Sequence, residues 1–330
     1  MKKSLFLFSL LLGVVWALPV QAHDFTAKLK GGQTLFFNIT DTVRHTVELT
    51  YEGKIRDNHE NLPVGRLELP RTVKFKDVVY TVTAIGPKAF SGAAELETLV
   101  IPGTIVKIHD FAFEDCSKLQ AILFPGSQVE FGEGVFYRCP AIENISFGSE
   151  WKEINLGVFR WSENLKRIMI PARVEKIANL KTIASLEAVE VDPNNSLFAA
   201  AAGLLFSKNG KTLYACPRSY HGSVVVPEGV ETVKEGAFID CPYVEAVTFP
   251  ASLKALPYQE FSRNAQLKSV TFLSAEPLLN YPQEKDPLFA LQVASPAVKV
   301  FVPAASVSAW RKAVYEAEGF VSKKSVKKIK

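Results

Sequence analysis

The chain has little methionine, tryptophan, cysteine and net charge. Its 330 residues include two Met, four Trp and four Cys. Four cysteines are too few to define the disulfide framework typical of small exported proteins. Thirty-eight Lys and Arg against 34 Asp and Glu leave a net charge of +4, which gives no general attraction for nucleic acid. A hydrophobic share of 48% and a charged share of 22% exclude wholesale disorder.

Sequence motifs of catalysis are also missing. The chain has no H-E-x-x-H, no G-x-S-x-G, no P-loop and no G-x-G-x-x-G. Its carboxylates are many, but spacing alone pairs none of them for acid–base chemistry. No two histidines lie at metal-ligand spacing; the five are His23, His45, His59, His109 and His221. The sequence therefore predicts no catalytic residue, no metal site and no cofactor.

The N-terminus has the pattern of a secretory signal. A basic start, Met1-Lys2-Lys3, precedes an uncharged apolar stretch, which ends in the small-x-small pattern Val20-Gln21-Ala22. The pattern predicts a signal peptide over 1–22. An uncleaved membrane anchor is the alternative, and the shortness of the run and Pro19 disfavour it. No other stretch approaches the length of a membrane span. We expect an exported protein that is periplasmic, on the cell surface or secreted.

The rest of the chain repeats with a period of 23 residues. A phenylalanine column, an aliphatic column before it and strand-like columns after it recur in register, which favours a stack of equivalent units. The columns are Phe90, Phe113, Phe136 and Phe159, with Phe238 and Phe261; Ile85, Ile108, Phe131, Ile154 and Ile177; Leu96, Leu119, Ile142 and Leu165; Leu99, Ile122, Ile145 and Ile168; and Ile101, Phe124, Phe147 and Ile170. Each Phe occupies the same phase of the repeat, so we expect a core ladder rather than a surface that stacks a ligand.

Each unit combines a turn with a strand. Apolar alternation near the end of Leu96–Pro102 predicts a short strand with one face buried, which the proline ends. The preceding half, such as Ile85–Phe90, turns the chain back. One unit cannot bury its own apolar face, so neighbouring units must stack into a continuous core and a parallel sheet.

The units Ile85-Gly86-Pro87-Lys88-Ala89-Phe90 and Glu235-Gly236-Ala237-Phe238-Ile239-Asp240-Cys241 resemble the BspA-like, or treponemal-type, leucine-rich repeat. The resemblance covers about 82–191 and 225–273. It implies a β-rich α/β solenoid, a right-handed leucine-rich-repeat superhelix with 23-residue repeats. It also implies an exported bacterial surface or secreted protein, often adhesive. The family has no shared catalytic residues to transfer.

The predicted organisation has six parts. They are a signal peptide (1–22), a β-rich N-terminal cap (23–81), repeats one to five (82–191), a β-hairpin insertion (192–224), repeats six and seven (225–273), and an α/β C-terminal cap with a lysine-rich tail (274–330). Asn209-Gly210 between apolar runs predicts the hairpin, which we expect to project from the stack. A helix is expected over Ser306–Glu318. The tail is expected to be a solvated terminus or a lysine-protected edge strand, with contact to an anionic envelope surface as the alternative.

The outward face of the repeat strands is the default recognition surface of a solenoid. Alternation predicts the candidate binding residues on it: Thr98, Val100, Ala121, Leu123, Asn144, Ser146, Arg167, Met169, Thr248 and Thr271. Trp161 is added because it replaces residues that are mostly polar two places after the phenylalanine, and its alternative is packing against a neighbouring loop. An ordinary solvated face remains the alternative for the whole surface.

Three cysteines share a column three residues after the phenylalanine: Cys116, Cys139 and Cys241. A buried turn position that meets backbone groups suits them. A Cys116–Cys139 disulfide is conceivable, but the side chains of stacked equivalents run parallel and disfavour it. Cys216 stands apart in the insertion as a candidate free thiol.

The leading functional hypothesis is a non-catalytic binding or adhesion protein that recognises a protein or glycan through its sheet face and insertion, with no nucleic-acid partner and no membrane span after signal cleavage. A structural or assembly scaffold in the bacterial envelope is the alternative. An enzyme with a site in the N-terminal cap is the least favoured.

Overall fold

A computed structural model describes residues 23–29, 31–52, 61–126, 128–257, 261–277, 279–281, 297–313 and 323–329. The predicted signal segment and most of the stretch 274–297 lie outside the described residues. The described part of the chain is a β-solenoid of about nine turns with little helix. In chain order its strands are β1 (Phe25–Lys28), β2 (Thr34–Asp41), β3 (Thr46–Thr50), β4 (Gly65–Glu68), β5 (Thr72–Phe75), β6 (Val78–Ile85), β7 (Leu96–Val100), β8 (Lys107–Ile108), β9 (Ala121–Phe124), β10 (Glu130–Phe131), β11 (Asn144–Phe147), β12 (Glu153–Asn155), β13 (Arg167–Ile170), β14 (Lys176–Ala178), β15 (Ala188–Val191), β16 (Phe198–Ala201), β17 (Leu204–Ser207), β18 (Thr212–Ala215), β19 (Gly222–Val225), β20 (Thr232–Val233), β21 (Val244–Phe249), β22 (Ala255–Pro257), β23 (Ser269–Phe272), β24 (Leu279–Tyr281), β25 (Lys299–Val302) and β26 (Val326–Lys328).

Each regular turn contributes one strand to each of two layers. The first layer runs β1-β2-β3-β6-β8-β10, with β5 beside β6, then β12-β14, then β16-β17-β18-β20-β22-β24. The second layer runs β4-β7-β9-β11, then β13-β15, then β19-β21-β23-β25-β26. Repeat strands pair in parallel and in register, as Leu99 with Ile122 and Ile122 with Ile145 show. The strand predicted at the end of each unit is therefore present, and it forms the second layer.

The first half of each unit also contains a short strand, which the pattern did not predict. Ile108 pairs in parallel with Ile85 on one side and with Phe131 on the other. These first-layer strands are two or three residues long in the regular turns, too short for an alternation of apolar and polar residues to be visible in the sequence.

The phenylalanine column is a buried ring stack, so the core interpretation is confirmed. Neighbouring ring centroids lie 5.2 Å apart for Phe90 and Phe113, 5.5 Å for Phe113 and Phe136, and 5.2 Å for Phe136 and Phe159. All four side chains are buried, and each pair of rings is within 15° of parallel. Such aromatic pairs contribute about 0.5–1.5 kcal/mol beyond area burial.

The cysteine column satisfies backbone carbonyl groups inside the same core. Cys116 Sγ lies 3.5 Å from Phe90 O, and Cys139 Sγ lies 3.0 Å from Phe113 O, so each thiol donates to the preceding turn. Ser185 does the same with its hydroxyl, 2.8 Å from Ser162 O. All four cysteines are buried and free, so Cys116 and Cys139 are not joined.

The expected insertion is built into the stack rather than projecting from it. The hairpin at Asn209-Gly210 is present between β17 and β18, and β18 pairs in parallel with β20 of the next turn. Leu204 and Phe206 pack into the core on the C-terminal side, whereas Leu205 packs into the core on the N-terminal side. Successive strand residues point to opposite faces, so three consecutive apolar residues show that both faces are covered.

Strands β16, β17 and β18 thus form a partition between the two cores. The buried side chain of Asn195 fixes the turn that leads into this partition. Its amide nitrogen donates to Pro171 O at 2.8 Å and to Val174 O at 3.0 Å. Its amide oxygen accepts from the backbone nitrogens of Leu197 at 2.9 Å and Phe198 at 2.8 Å. The side chain is 1% exposed and uses both of its donors and both acceptor positions.

The ends of the stack continue the two layers. At the N-terminal end β3 pairs in parallel with β6, and β4 with β7, while β1 and β2 add antiparallel strands. At the C-terminal end α1 (Val307–Ala313) stacks Trp310 on Phe272, with ring centroids 4.6 Å apart. The part of the predicted helix beyond Ala313 lies outside the described residues. The capping role of both ends stays a prediction.

The lysine-rich tail contains an edge strand. In β26, Val326 is buried against the core, whereas Lys327 and Lys328 are exposed. The strand pairs in parallel with β25, and Arg311 Nη2 donates to Val326 O at 3.2 Å. Of the expectations for the tail, the lysine-bearing edge strand is the one observed.

Replacement of Phe136 by alanine is expected to cost about 3–5 kcal/mol of unfolding free energy, because it removes the middle of the ring stack and leaves a cavity. The matched control is Tyr137→Ala, which truncates the adjacent, half-exposed aromatic residue. Urea unfolding followed by circular dichroism measures both. Equal losses for the two variants would contradict a core held by the stack.

Replacement of Asn195 by alanine is expected to cost at least about 2 kcal/mol, because two buried N–H and two carbonyl groups lose their partners. Asn194→Ala is the control: this neighbour is exposed, and its loss is expected to stay within about 0.5 kcal/mol. Thermal and urea unfolding compare the two. A difference below about 1 kcal/mol would show that water replaces the amide and that Asn195 does not fix the partition.

Candidate functional site

The outward face of the second layer, here called the outer face, carries two columns of predicted binding residues. Register pairs Thr98 with Ala121 and Ala121 with Asn144 in one column. It pairs Val100 with Leu123 and Leu123 with Ser146 in the other. Parallel strands in register keep side chains of one column on one face, and this is why the predicted residues converge.

Strands β9, β11, β13 and β15 surround a shallow hollow of about 560 Å³, here called the outer-face depression. It brings together six of the predicted residues: Ala121, Leu123, Asn144, Ser146, Arg167 and Met169. Its lining also includes residues that the sequence pattern did not predict, namely Glu143, Phe147 and Glu190. Glu190 belongs to the degenerate fifth repeat and is in register with Met169, but the predicted face included no residue of that repeat.

One wall of the depression carries an ion pair, and Glu143 adds a second carboxylate to the lining. Arg167 Nη1 lies 3.2 Å from Glu190 Oε1, across the register pair that joins β13 and β15. Both side chains are substantially exposed, so this ion pair orders the wall more than it stabilises the fold. Met169, the register partner of Glu190, is 45% exposed. The wall therefore places an apolar, adaptable side chain beside a neutralised pair of charges.

Val100 lies on the same face but is buried, with 8% of its surface exposed. It lines a second, larger cleft of about 900 Å³ at the N-terminal end of the layer, together with Arg66 and Glu68 of β4. The connection between β1 and β2, residues 31–33, forms another wall of this cleft. Alternation placed Val100 on the correct face but could not detect the cover provided by the N-terminal strands.

Thr248 and Thr271 are register partners on β21 and β23, and both are half-buried. They belong to the outer face on the far side of the β16–β18 partition. They do not line the depression. The structure thus divides the predicted surface into two regions.

Trp161 lies at a turn rather than on the outer face. Its side chain is 47% exposed, and its ring meets Tyr137 of the preceding turn edge-to-face at 5.7 Å. The Arg160 guanidinium sits 5.4 Å from the indole centroid. Exposure and packing against a neighbouring loop are therefore both observed, and Trp161 is separate from the depression.

No group of three or more potential metal ligands comes together within the described ranges. Over the same ranges no helix is both long enough and apolar enough to cross a membrane.

A sequence profile described as the BspA type leucine rich repeat region matches residues 78–196 and 214–280, in six copies. The chain belongs to the BspA-type leucine-rich-repeat family. Membership makes it a repeat-based binding or surface protein, in a family whose proteins are generally non-catalytic and mediate protein binding. The resemblance drawn from the units Ile85–Phe90 and Glu235–Cys241 is confirmed. No curated protein matches the chain.

Solved bacterial structures are similar to the chain at low identity. The pneumococcal vaccine antigen PcpA is 18% identical, with a TM-score of 0.48 over 94% of this chain and 100% of that one. A leucine-rich repeat protein from Bacteroides ovatus is 22% identical, with a TM-score of 0.46 over 87% and 81%. A leucine-rich cell surface protein from Faecalibacterium prausnitzii is 15% identical, with a TM-score of 0.41 over 93% and 94%.

The exposure of Trp161 predicts a quenching result for the chain without its signal segment. Iodide is expected to quench Trp161 fluorescence, because Trp151 and Trp310 are fully buried. In Trp161→Phe the iodide-accessible component should disappear while the folded emission of the buried indoles remains. Persistent quenching in that variant would mean that one of the other two rings is open to solvent.

Proposed function

We propose that this protein is an exported, non-catalytic binding protein that holds a protein ligand on its outer face, around the outer-face depression. The observation that carries the proposal is the convergence of Leu123, Asn144, Ser146, Arg167 and Met169 on one hollow from three successive turns. Sheet faces of solenoids offer extended surfaces of this kind to partners. The family provides the binding class, and the signal pattern supports export.

The chemistry of the depression favours a protein over a glycan. Leu123 and Met169 offer apolar contact area, and Asn144 and Ser146 offer exposed hydrogen-bonding groups beside it. Exposed methionine suits partner surfaces because its thioether side chain adapts in shape. The Arg167–Glu190 pair supplies both signs of charge at one edge, which matches the mixed rim of a protein interface.

The test screens the mature protein against an array of extracellular proteins and against a glycan array, and then repeats every positive with variants. Arg167→Ala and Met169→Ala are each expected to weaken binding of a protein ligand about fivefold or more, because contacts central to an interface cost over 1 kcal/mol when truncated.

Matched controls come from elsewhere on the solenoid. Arg173 forms an equivalent inter-turn ion pair with Glu150, and Val106 is an exposed apolar residue outside the depression. Arg173→Ala and Val106→Ala should leave the affinity within a factor of two. Equal loss in control and test variants would remove the assignment to the outer face. If only glycans bind, the ligand of the outer face is a glycan rather than a protein. Co-purification with an envelope complex and no external ligand would favour the scaffold hypothesis.

A further inference from the structure

Two cysteines from different parts of the chain meet beneath the end of the partition. Cys216 follows β18 directly, and Cys241 occupies the turn of the sixth repeat. Cys241 Sγ lies 3.7 Å from Pro217 O and from Cys216 O, and Cys216 Sγ lies 3.6 Å from Pro217 O. The two thiols therefore flank one carbonyl oxygen, and neither forms a disulfide.

An ammonium group completes this cluster. Lys181 arrives from the fifth repeat and places Nζ 3.0 Å from Cys241 Sγ. The same nitrogen donates to Cys216 O at 2.6 Å and to Ile239 O at 3.1 Å. A lysine that gives all three of its protons to one sulfur and two carbonyls holds a cation against the Cys241 thiol. Lys181 itself is half-buried, so its side chain lies between the buried thiols and the solvent.

The other charged and titratable groups around the thiols are few. Arg218 Nη2 pairs with Asp240 Oδ2 at 3.1 Å, and the Tyr220 phenol lies near Cys216. The neighbouring Cys216 thiol and the Lys181 ammonium lower the pKa of Cys241, against the opposing effects of burial and Asp240. Burial and the neighbouring Cys241 raise the pKa of Cys216 well above its ordinary value. Lys181 Nζ contacts Cys241 Sγ, and no such contact is observed for Cys216 Sγ among the described residues, so the geometry favours Cys241 as the thiolate of the pair.

The other cysteine pair of the chain provides a natural comparison. Cys116 and Cys139 are also buried and free, and each donates to a backbone carbonyl; the neighbouring Cys139 and burial raise the pKa of Cys116 well above its ordinary value. Within the described residues no lysine hydrogen-bonds either of their sulfurs. Cys241 occupies the same column as Cys116 and Cys139, and the Lys181 ammonium on its sulfur is what distinguishes it from them.

We propose that Cys216 and Cys241 form a reactive dithiol that Lys181 activates for exchange with a small-molecule disulfide such as oxidised glutathione. The Cys241 thiolate attacks one sulfur of the external disulfide, which breaks its S–S bond and releases one thiolate. The Cys216 thiol then loses its proton and attacks Cys241 Sγ, and the second external thiolate leaves. The protein loses two electrons, the external disulfide gains them, and the two thiolates take up the two protons released.

The product would join the partition to the sixth repeat. A Cys216–Cys241 bond links the strand that closes the central hairpin to the turn that starts the C-terminal stack, and it displaces the sulfur from Lys181. Because both sulfurs are fully buried, the reaction proceeds through local opening of this turn, and Lys181 and Arg218 are its half-exposed outer residues.

The experiment incubates the reduced, folded mature protein with oxidised glutathione and stops the exchange with acid. The remaining thiols are then blocked with N-ethylmaleimide in denaturant near neutral pH and mapped by mass spectrometry. The expected product is a Cys216–Cys241 disulfide with Cys116 and Cys139 still blocked by maleimide. Cys216→Ser should instead accumulate one glutathione on Cys241, because the resolving thiol is gone. Equal oxidation of both pairs, or oxidation of neither, would overturn the proposal.

A second set of variants tests the lysine. Lys181→Met should slow disulfide formation at neutral pH, about threefold for each unit by which the pKa of Cys241 rises, because the loss of thiolate is partly offset by its greater nucleophilicity; at alkaline pH the rate should reach that of wild type. Lys181→Arg keeps the cation and should retain most of the neutral-pH rate. Circular dichroism before the reaction confirms that each variant is folded. A Lys181→Met rate equal to wild type at neutral pH, or loss of rate in both variants at every pH, would contradict activation by the ammonium.

Discussion

The structure depends on one constraint: each turn must pack against a neighbouring turn of nearly the same shape. A turn of 23 residues cannot cover its own apolar side chains, so equivalent residues stack along the axis. Phenylalanine satisfies this requirement because its rings pack parallel at 5.2–5.5 Å. Charged side chains satisfy it by forming opposite-sign pairs between neighbouring turns, as Lys107 with Glu130 and Lys176 with Glu153 show at 2.8 Å and 3.1 Å. Glycine satisfies it where backbones nearly touch, since a Cβ at Gly126 would lie 2.1 Å from Gly103 Cα.

Self-stacking also explains how much of the fold was predictable. A side chain that recurs every 23 residues must occupy the same environment in every turn, so Phe136 could be assigned to the core from the sequence alone. The hairpin at Asn209-Gly210 followed from local turn chemistry. The role of the segment around it did not, because Leu204, Leu205 and Phe206 are covered by two different cores that meet only in three dimensions. The short strand at Lys107–Ile108 depends on pairing with its neighbours and leaves no local pattern.

The candidate sites divide in the same way. Alternation along a strand predicted which side chains share the outer face, and register brought Asn144, Arg167 and Met169 to one depression. Burial of Val100 comes from N-terminal strands that the repeat does not encode. Glu190 and Lys181 both come from the degenerate fifth repeat, which lacks the column phenylalanine. The cluster of Lys181 with Cys216 and Cys241 spans 60 residues of sequence, so no local reading could assemble it.

Hydroxyl-radical footprinting of the mature protein, free and bound to a protein ligand found by array, tests most directly whether the outer face is the binding surface. Binding is expected to suppress oxidation of Met169 and Leu123, because both line the depression on β13 and β9. Protection that falls on the turns around Trp161 or on the first layer, and leaves Met169 as reactive as in the free protein, would contradict binding at the outer face.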